Sequence, residues 1–279
     1  MVHAVTSPRA VRNDARPKVR RLPRQIYPNA IERYYVKHLQ AWFQRAFAEA
    51  YADVIEALPR YFPDEQPKQD AGPKARSDAA IGIAALLEKA RKKLKASLDL
   101  ARFRKFLGDH GDRVEAWSKK EFDKQAKAAL GVDLLTSNPQ IIRRAKEFVA
   151  TNVDLITTLT DDAASRVEKV VFASAQAGRL TKEVAQDIAD AERISYRHAK
   201  LIARDQTSKL YGQLNVDRAK AAGLTEYIWR TSNDNAVRDT HAALNNLKFR
   251  YDDPPEPGNP GDDFQCRCHA EPVFDTLLI

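Results

Sequence analysis

From Tyr27 to Leu58 apolar residues recur every three or four positions: Ile31, Tyr35, Leu39, Trp42, Phe43, Phe47, Ala50, Val54 and Leu58. That spacing places them on one face of a single helix. At the rise of an α-helix the segment would be roughly 48 Å long, so its aromatic stripe needs an extended partner surface, on this chain's own helices or on a neighbour. A long helix with one apolar face commits the first half of the chain to helix-on-helix packing.

The rest of the chain divides by composition. Residues 1–25 are basic and carry Pro8, Pro17 and Pro23, which predicts a flexible arm. Residues 26–136 form a long-helix region interrupted by a polar linker at 59–77, with Pro59, Pro63, Pro67, Gly72 and Pro73. A second helix is expected over about 78–107 with Gly108 as its stop, and a third, basic one over about 112–130. Residues 137–224 read as further helices near 140–150, 152–159, 161–177, 181–190 and 195–222, with Thr181 placed as an N-cap and Gly178 and Gly223 at helix ends. Residues 225–279 differ in character. Thr225 to Thr231 reads as a strand, Ala236 to Leu244 as a short helix, Asn245–Asn246 as a turn, and Leu247 to Tyr251 and Ala270 to Phe274 as further strands. The expected fold is therefore mainly α, long helices followed by a helical domain that ends in a small α+β module.

The formal net charge of +8 is unevenly spread. Arg9, Arg12, Arg16, Lys18, Arg20, Arg21 and Arg24 face only Asp14 within the first 25 residues. Residues 89–127, which include Lys92, Lys93 and Lys95, carry thirteen Lys or Arg against six acids. A basic arm and a basic helical region attract a polyanion, and these residues are the candidates for nonspecific contact with double-stranded DNA. The bland alternative is a set of solvated lysine-rich helix faces. No run of about 18 apolar residues occurs, so no membrane span is expected. No apolar segment follows the basic N-terminus, so a secretory signal is not expected either, and synthesis in a cytoplasm is.

Only two cysteines occur, Cys266 and Cys268. With one residue between them a mutual disulfide is geometrically awkward, but in extended chain their side chains point to the same side. His269 would then point away. Together with His241 they are zinc-ligand types, the fourth position falling to Asp234, a neighbour or water. Their spacing is shorter than the two- to four-residue gap usual in zinc sites, so the favoured reading is two small buried thiols and a hydrogen-bonded histidine pinning a proline-rich loop, with no cofactor expected and zinc the alternative. Asp234 and Arg238, four apart near a helix start, fit a cap and an ion pair. A functional version would have Arg204, Arg238 and Arg267 converge on a phosphate or on carboxylates. Trp229 reads as a core residue of the small sheet. A Cys–His pair can also serve as nucleophile and base, but no serine-hydrolase elbow, phosphate loop or paired carboxylate motif accompanies it, so no catalytic residue is assigned.

The order of these C-terminal residues is more specific than any one of them. Trp229, Asp234, Val237, Arg238, His241, Asn245, Phe249, Cys266, Arg267 and Cys268, with Ala203, Arg204, Thr207, Tyr211, Asn215 and Gly223 upstream, resemble the signature of the Mu F-like minor head (head-morphogenesis) proteins of phages. The resemblance covers roughly residues 140–275. Asn246 stands where a turn glycine is usual, and Asp205 and Gln206 replace a Thr-Glu pair. The resemblance implies a non-enzymatic virion protein, made in the host cytoplasm, that enters the procapsid in few copies near the portal. It also implies contact with the portal protein, the scaffold or major capsid protein, and packaged DNA. The alternatives are a metal-dependent or Cys/His enzyme of phage origin and a nonspecific DNA-binding protein.

Overall fold

The computed structural model describes residues 22–65, 73–131 and 139–274. Arg9, Arg12, Arg16, Lys18, Arg20 and Arg21 of the expected DNA-binding arm, and residues 66–72 of the linker expected at 59–77, lie outside the described residues.

Five long helices come first: α1 (Asn29–Tyr61), α2 (Pro73–Ala96), α3 (Leu100–Leu130), α4 (Pro139–Ala177) and α5 (Thr181–Ala221). The strand β1 (Glu226–Arg230), the short helix α6 (Asp239–Leu244), and the strands β2 (Lys248–Arg250) and β3 (His269–Pro272) follow. The strands form one antiparallel sheet in the order β2-β1-β3. The mainly helical fold with a small C-terminal α+β module is as the sequence predicts. No described helix is long and apolar enough to cross a membrane.

The stripe on α1 is buried against the chain's own helices. Tyr35, Leu39, Phe43, Phe47, Tyr51 and Val54 are all at most 2% exposed, and they belong to a core shared with α2, α4 and α5. Several buried polar side chains in this bundle pair across helices: Tyr35 Oη donates to Asn152 Oδ1 at 2.8 Å, His110 Nε2 lies 3.0 Å from Thr207 Oγ1, and Ser118 Oγ donates to Asn215 Oδ1 at 2.7 Å.

Several helix boundaries differ from the sequence reading, each for a local reason. The expected breaks within 140–177 do not occur. Asn152 Nδ2 donates to the Phe148 carbonyl and Thr157 Oγ1 to that of Val153, so these residues satisfy themselves within the helix rather than end it. Ser195 does the same on α5 through the Ala191 carbonyl. Gly108 does not stop a helix. The break falls at Ser97–Asp99, where the Asp99 carboxylate caps α3 by accepting the Arg102 N–H at 3.0 Å. Pro59 lies inside α1, and α2 begins at Pro73. Thr181 does not cap α5: its hydroxyl donates to the Phe62 carbonyl at 2.9 Å, while Glu183 accepts the Leu180 N–H. Gly178 and Gly223 do end α4 and α5 in the left-handed conformation, at φ 65° and 76°.

A flexible arm through residue 25 does not hold for its last residues. Residues 22–28 form an extended strap laid on α3 and α5. Gln25 is 3% exposed and bonds Gln125 at 2.9 Å, the Ile26 N–H donates to Glu121 at 2.8 Å, and Trp117 Nε1 donates to the Ile26 carbonyl at 2.7 Å. Arg24, expected to face DNA, reaches the C-terminal module and donates to the carbonyls of Thr231 and Ser232 at 3.2 and 2.8 Å. The strap ties the helical bundle to the small sheet.

Candidate functional site: a cysteine–histidine module docked on α5

The second apolar core lies under the sheet. Trp229 and Tyr227 of β1 are fully buried in it beside Cys266, Cys268 and Ala270, with Phe122 from α3 and Ala219 from α5. The alternation of β1 points these two aromatics inward and leaves Glu226, Ile228 and Arg230 half-buried. Arg230 makes a paired contact with Glu271 on the neighbouring strand, at 3.1 and 2.7 Å. Asn246, in the position of a turn glycine, has φ 69°, a conformation that asparagine tolerates better than most residues.

The proline-rich segment between β2 and β3 is fixed onto one face of α5 by residues spaced as neighbours on a helix. Asp205 Oδ1 accepts the Gln265 N–H at 2.9 Å, and Ser208 Oγ donates to the Cys266 carbonyl at 2.5 Å. Gly212 lets the loop touch the helix backbone: a Cβ there would lie 2.5 Å from the Pro260 carbonyl oxygen and 2.9 Å from Gly261 Cα. Asp205 is thus an anchor, even though it stands where the resembling family has another residue. Sequence reasoning missed Ser208 and Gly212, and their i, i+3, i+7 spacing was the signal that could have grouped them with Asp205.

Docked in this way, the loop brings Cys266 and Cys268 against His241 on α6. All three are buried, and their candidate donor atoms lie within 4.8 Å of one another. The two sulfurs sit 3.5 and 3.7 Å from the same ring atom, His241 Nδ1. Both thiols are free. They act as a pair: the neighbouring Cys268 thiol lowers Cys266 to about 6, helped by the backbone N–H groups of Cys268 and Gly261. Burial opposes the shift, and the nearby His241 adds to it. Sharing with Cys266, and burial, push Cys268 upward. The other ring nitrogen, His241 Nε2, lies 3.1 Å from Asp263 Oδ2, off the line of a proper hydrogen bond. Arg238 holds that carboxylate from Nη1 at 3.0 Å and donates from Nη2 to the Phe264 carbonyl at 2.6 Å.

The structure therefore brings together His241, Cys266 and Cys268 and adds Asp263, which the sequence reading did not single out. Asp234 is not part of the cluster. Its carboxylate pairs with Arg267 at 2.8 Å and accepts the Ala236 N–H at 3.0 Å, so the expected Asp234–Arg238 pair is replaced by two pairs to the loop. Asp234 does not cap a helix either, since α6 begins at Asp239. Arg204 pairs with Glu32 on α1 at 3.3 Å. Arg204, Arg238 and Arg267 thus hold three separate carboxylates and do not converge on one anion. His269 is buried away from the sulfurs, opposite Arg230 on β1. Burial, with Arg24 and Arg230 nearby, lowers it to about 3.

The described lysines assigned to DNA lie elsewhere, on α2, each beside a carboxylate. Lys92 is 3.3 Å from Glu88, Lys93 2.9 Å from Asp53 and Lys95 2.6 Å from Asp161. Such exposed pairs are weak and exchangeable, but they dilute the positive field that the sequence count suggests.

Comparison with known proteins centres on this same region. Residues 165–271 match the family described as phage Mu protein F like protein. A Haemophilus influenzae protein described as uncharacterized is 33% identical over 168 residues, which cover 59% of this chain and 38% of that protein. The chain therefore spans well under half of that relative's length. No solved structure matches. The match takes in the anchoring face of α5, the strands β1 and β2 and the whole cysteine–histidine cluster, so over this part the chain is similar to the phage Mu protein F like family.

Proposed function

We propose that the protein is a minor component of a phage head and acts in head morphogenesis, as a structural part and not as a catalyst. The observation that carries this reading is the coincidence of the matched segment, residues 165–271, with a module that is built to be rigid. Its loop is bound to α5, its arginines are each committed to an internal carboxylate, and its core is closed by Trp229. A part whose loop and arginine side chains are held by internal bonds suits a component held in an assembly. In this reading the partners are the portal protein and the scaffold or major capsid protein, and the chain sits inside the capsid near the portal. Its presence in purified heads, rather than in the soluble pool, tests the assignment.

Nonspecific contact with packaged DNA is the second part of the proposal. The N-terminal segment up to Arg21 has six basic residues and one acid and leads into the strap. The α2 lysines, already beside carboxylates, contribute less. Because each phosphate contact releases a counterion, affinity for duplex DNA should fall steeply with salt. Removing residues 1–21 should flatten that dependence, while Lys92→Ala and Lys93→Ala change it little. Filter-binding titrations at several salt concentrations read this directly. A preferred sequence, or a slope unchanged by the truncation, would contradict it.

A further inference from the structure

We propose that His241, Cys266 and Cys268 form a zinc site, with the two sulfurs and His241 Nδ1 as ligands and water in the fourth position. The inference is independent of the head-assembly reading and rests on the geometry of the cluster.

Two sulfurs lie at nearly equal distances, 3.5 and 3.7 Å, from one nitrogen. Nδ1 of a neutral imidazole makes one hydrogen bond, as donor or as acceptor according to the tautomer. One such bond accounts for one of the two approaches and not for both. An ion accounts for both. With Zn–S near ~2.3 Å and Zn–N near ~2.05 Å, a tetrahedral site spans each nitrogen–sulfur edge at about 3.5–3.6 Å. The observed separations of 3.5 and 3.7 Å lie close to those edges.

The surroundings match what a thiolate-bound cation needs. N–H groups of Gly261 and Cys268 are directed at the Cys266 sulfur, and the Ser232 N–H at the Cys268 sulfur. Donors of this kind stabilise sulfur that carries negative charge, whereas a neutral thiol gains little from them. On the far side of the imidazole, Asp263, itself gripped by Arg238, occupies the place of the carboxylate that orients a ligating histidine. Two thiolates and an imidazole favour zinc over magnesium or calcium, which take oxygen. Asp263 sits at the ring nitrogen opposite to the ligand and Asp234 is held by Arg267, so neither fills the fourth position. The cluster also joins α6 to a loop about 25 residues further on, so metal binding would reinforce the docking of that loop.

The test uses the full chain, purified without added metal, stripped with a chelator and titrated with Zn²⁺ or Co²⁺. One metal per chain is expected, with X-ray absorption showing two sulfur and two nitrogen or oxygen neighbours. The cobalt form should show sulfur-to-metal charge transfer. Cys266→Ser and Cys268→Ser should each abolish the sulfur signature. Asp263→Asn, which leaves all three ligands in place and covers the case where a cysteine variant fails to fold, should keep the stoichiometry but weaken affinity about 10- to 100-fold. A folded wild-type chain that takes up no metal, metal bound with no sulfur neighbour, or unchanged affinity in Asp263→Asn would overturn the assignment as stated.

Discussion

Gly212→Ala should destabilise the protein, although the same change in an open helix would stabilise it. Alanine is favoured over glycine within a helix by ~1 kcal/mol. At this position the new methyl group would meet the Pro260 carbonyl oxygen and Gly261 Cα, both backbone atoms, and neither can swing aside as a side chain could. Overpacking of this kind costs about 1–3 kcal/mol. Moving the loop to relieve it would also loosen the Asp205–Gln265 and Ser208–Cys266 hydrogen bonds, each worth about 1 kcal/mol. The clash outweighs the propensity, and a net loss of about 2–4 kcal/mol is expected. Gly108→Ala supplies the control, because Gly108 lies within α3 with nothing within 4 Å of the added methyl. It should be neutral or stabilising by up to ~1 kcal/mol. Urea denaturation of the two variants reads the opposite signs. Two shifts of the same sign would show that the loop is not seated on α5 as described.

The second large effect is expected at Trp229. It is fully buried and packs edge-on against His241, at 5.3 Å between ring centroids, and against Phe249 at 6.4 Å. Trp229→Ala removes the largest side chain of the second core and should cost about 3–5 kcal/mol. Trp229→Phe keeps the ring stacking but loses the indole N–H, so it should cost less. Because the two apolar cores are separate clusters, the damage should appear first in residues 225–274. Hydrogen exchange should report early loss of protection in β1, β2 and β3 with α1, α2 and α4 still protected. Uniform loss across all helices would mean that the module and bundle unfold as one unit.

Much of this was legible in the sequence because the signals were local. The aromatic stripe of α1, the inward Tyr227 and Trp229 of β1, and the placement of Cys266 and Cys268 on one side follow from helix and strand periodicity. Nor did long helices break where polar residues suggested. Asn152, Thr157 and Ser195 bond to carbonyls of their own helices, a choice that depends on rotamer and packing and not on residue type alone. The strap at 22–28 was illegible for a different reason. Its stability comes from bonds to Trp117, Glu121 and Gln125, roughly a hundred residues away, whereas its own composition reads as a polar, proline-containing arm. Asp263 was hidden in a proline-rich loop, where an acid ordinarily means solvent exposure. Only the docking of that loop on α5 brings it to His241. Ion pairing was the least legible of all. Arg204, Arg238 and Arg267 each found a carboxylate distant in sequence, and nothing in the local pattern selects Glu32, Asp263 or Asp234.

Where the protein is found tests the head-assembly proposal most directly. Heads purified by density gradient from cells producing the phage should contain the chain at a few copies per particle, measured by quantitative mass spectrometry against the major capsid protein, with the soluble pool depleted as heads accumulate. Abundant free protein and none in purified heads would contradict the account.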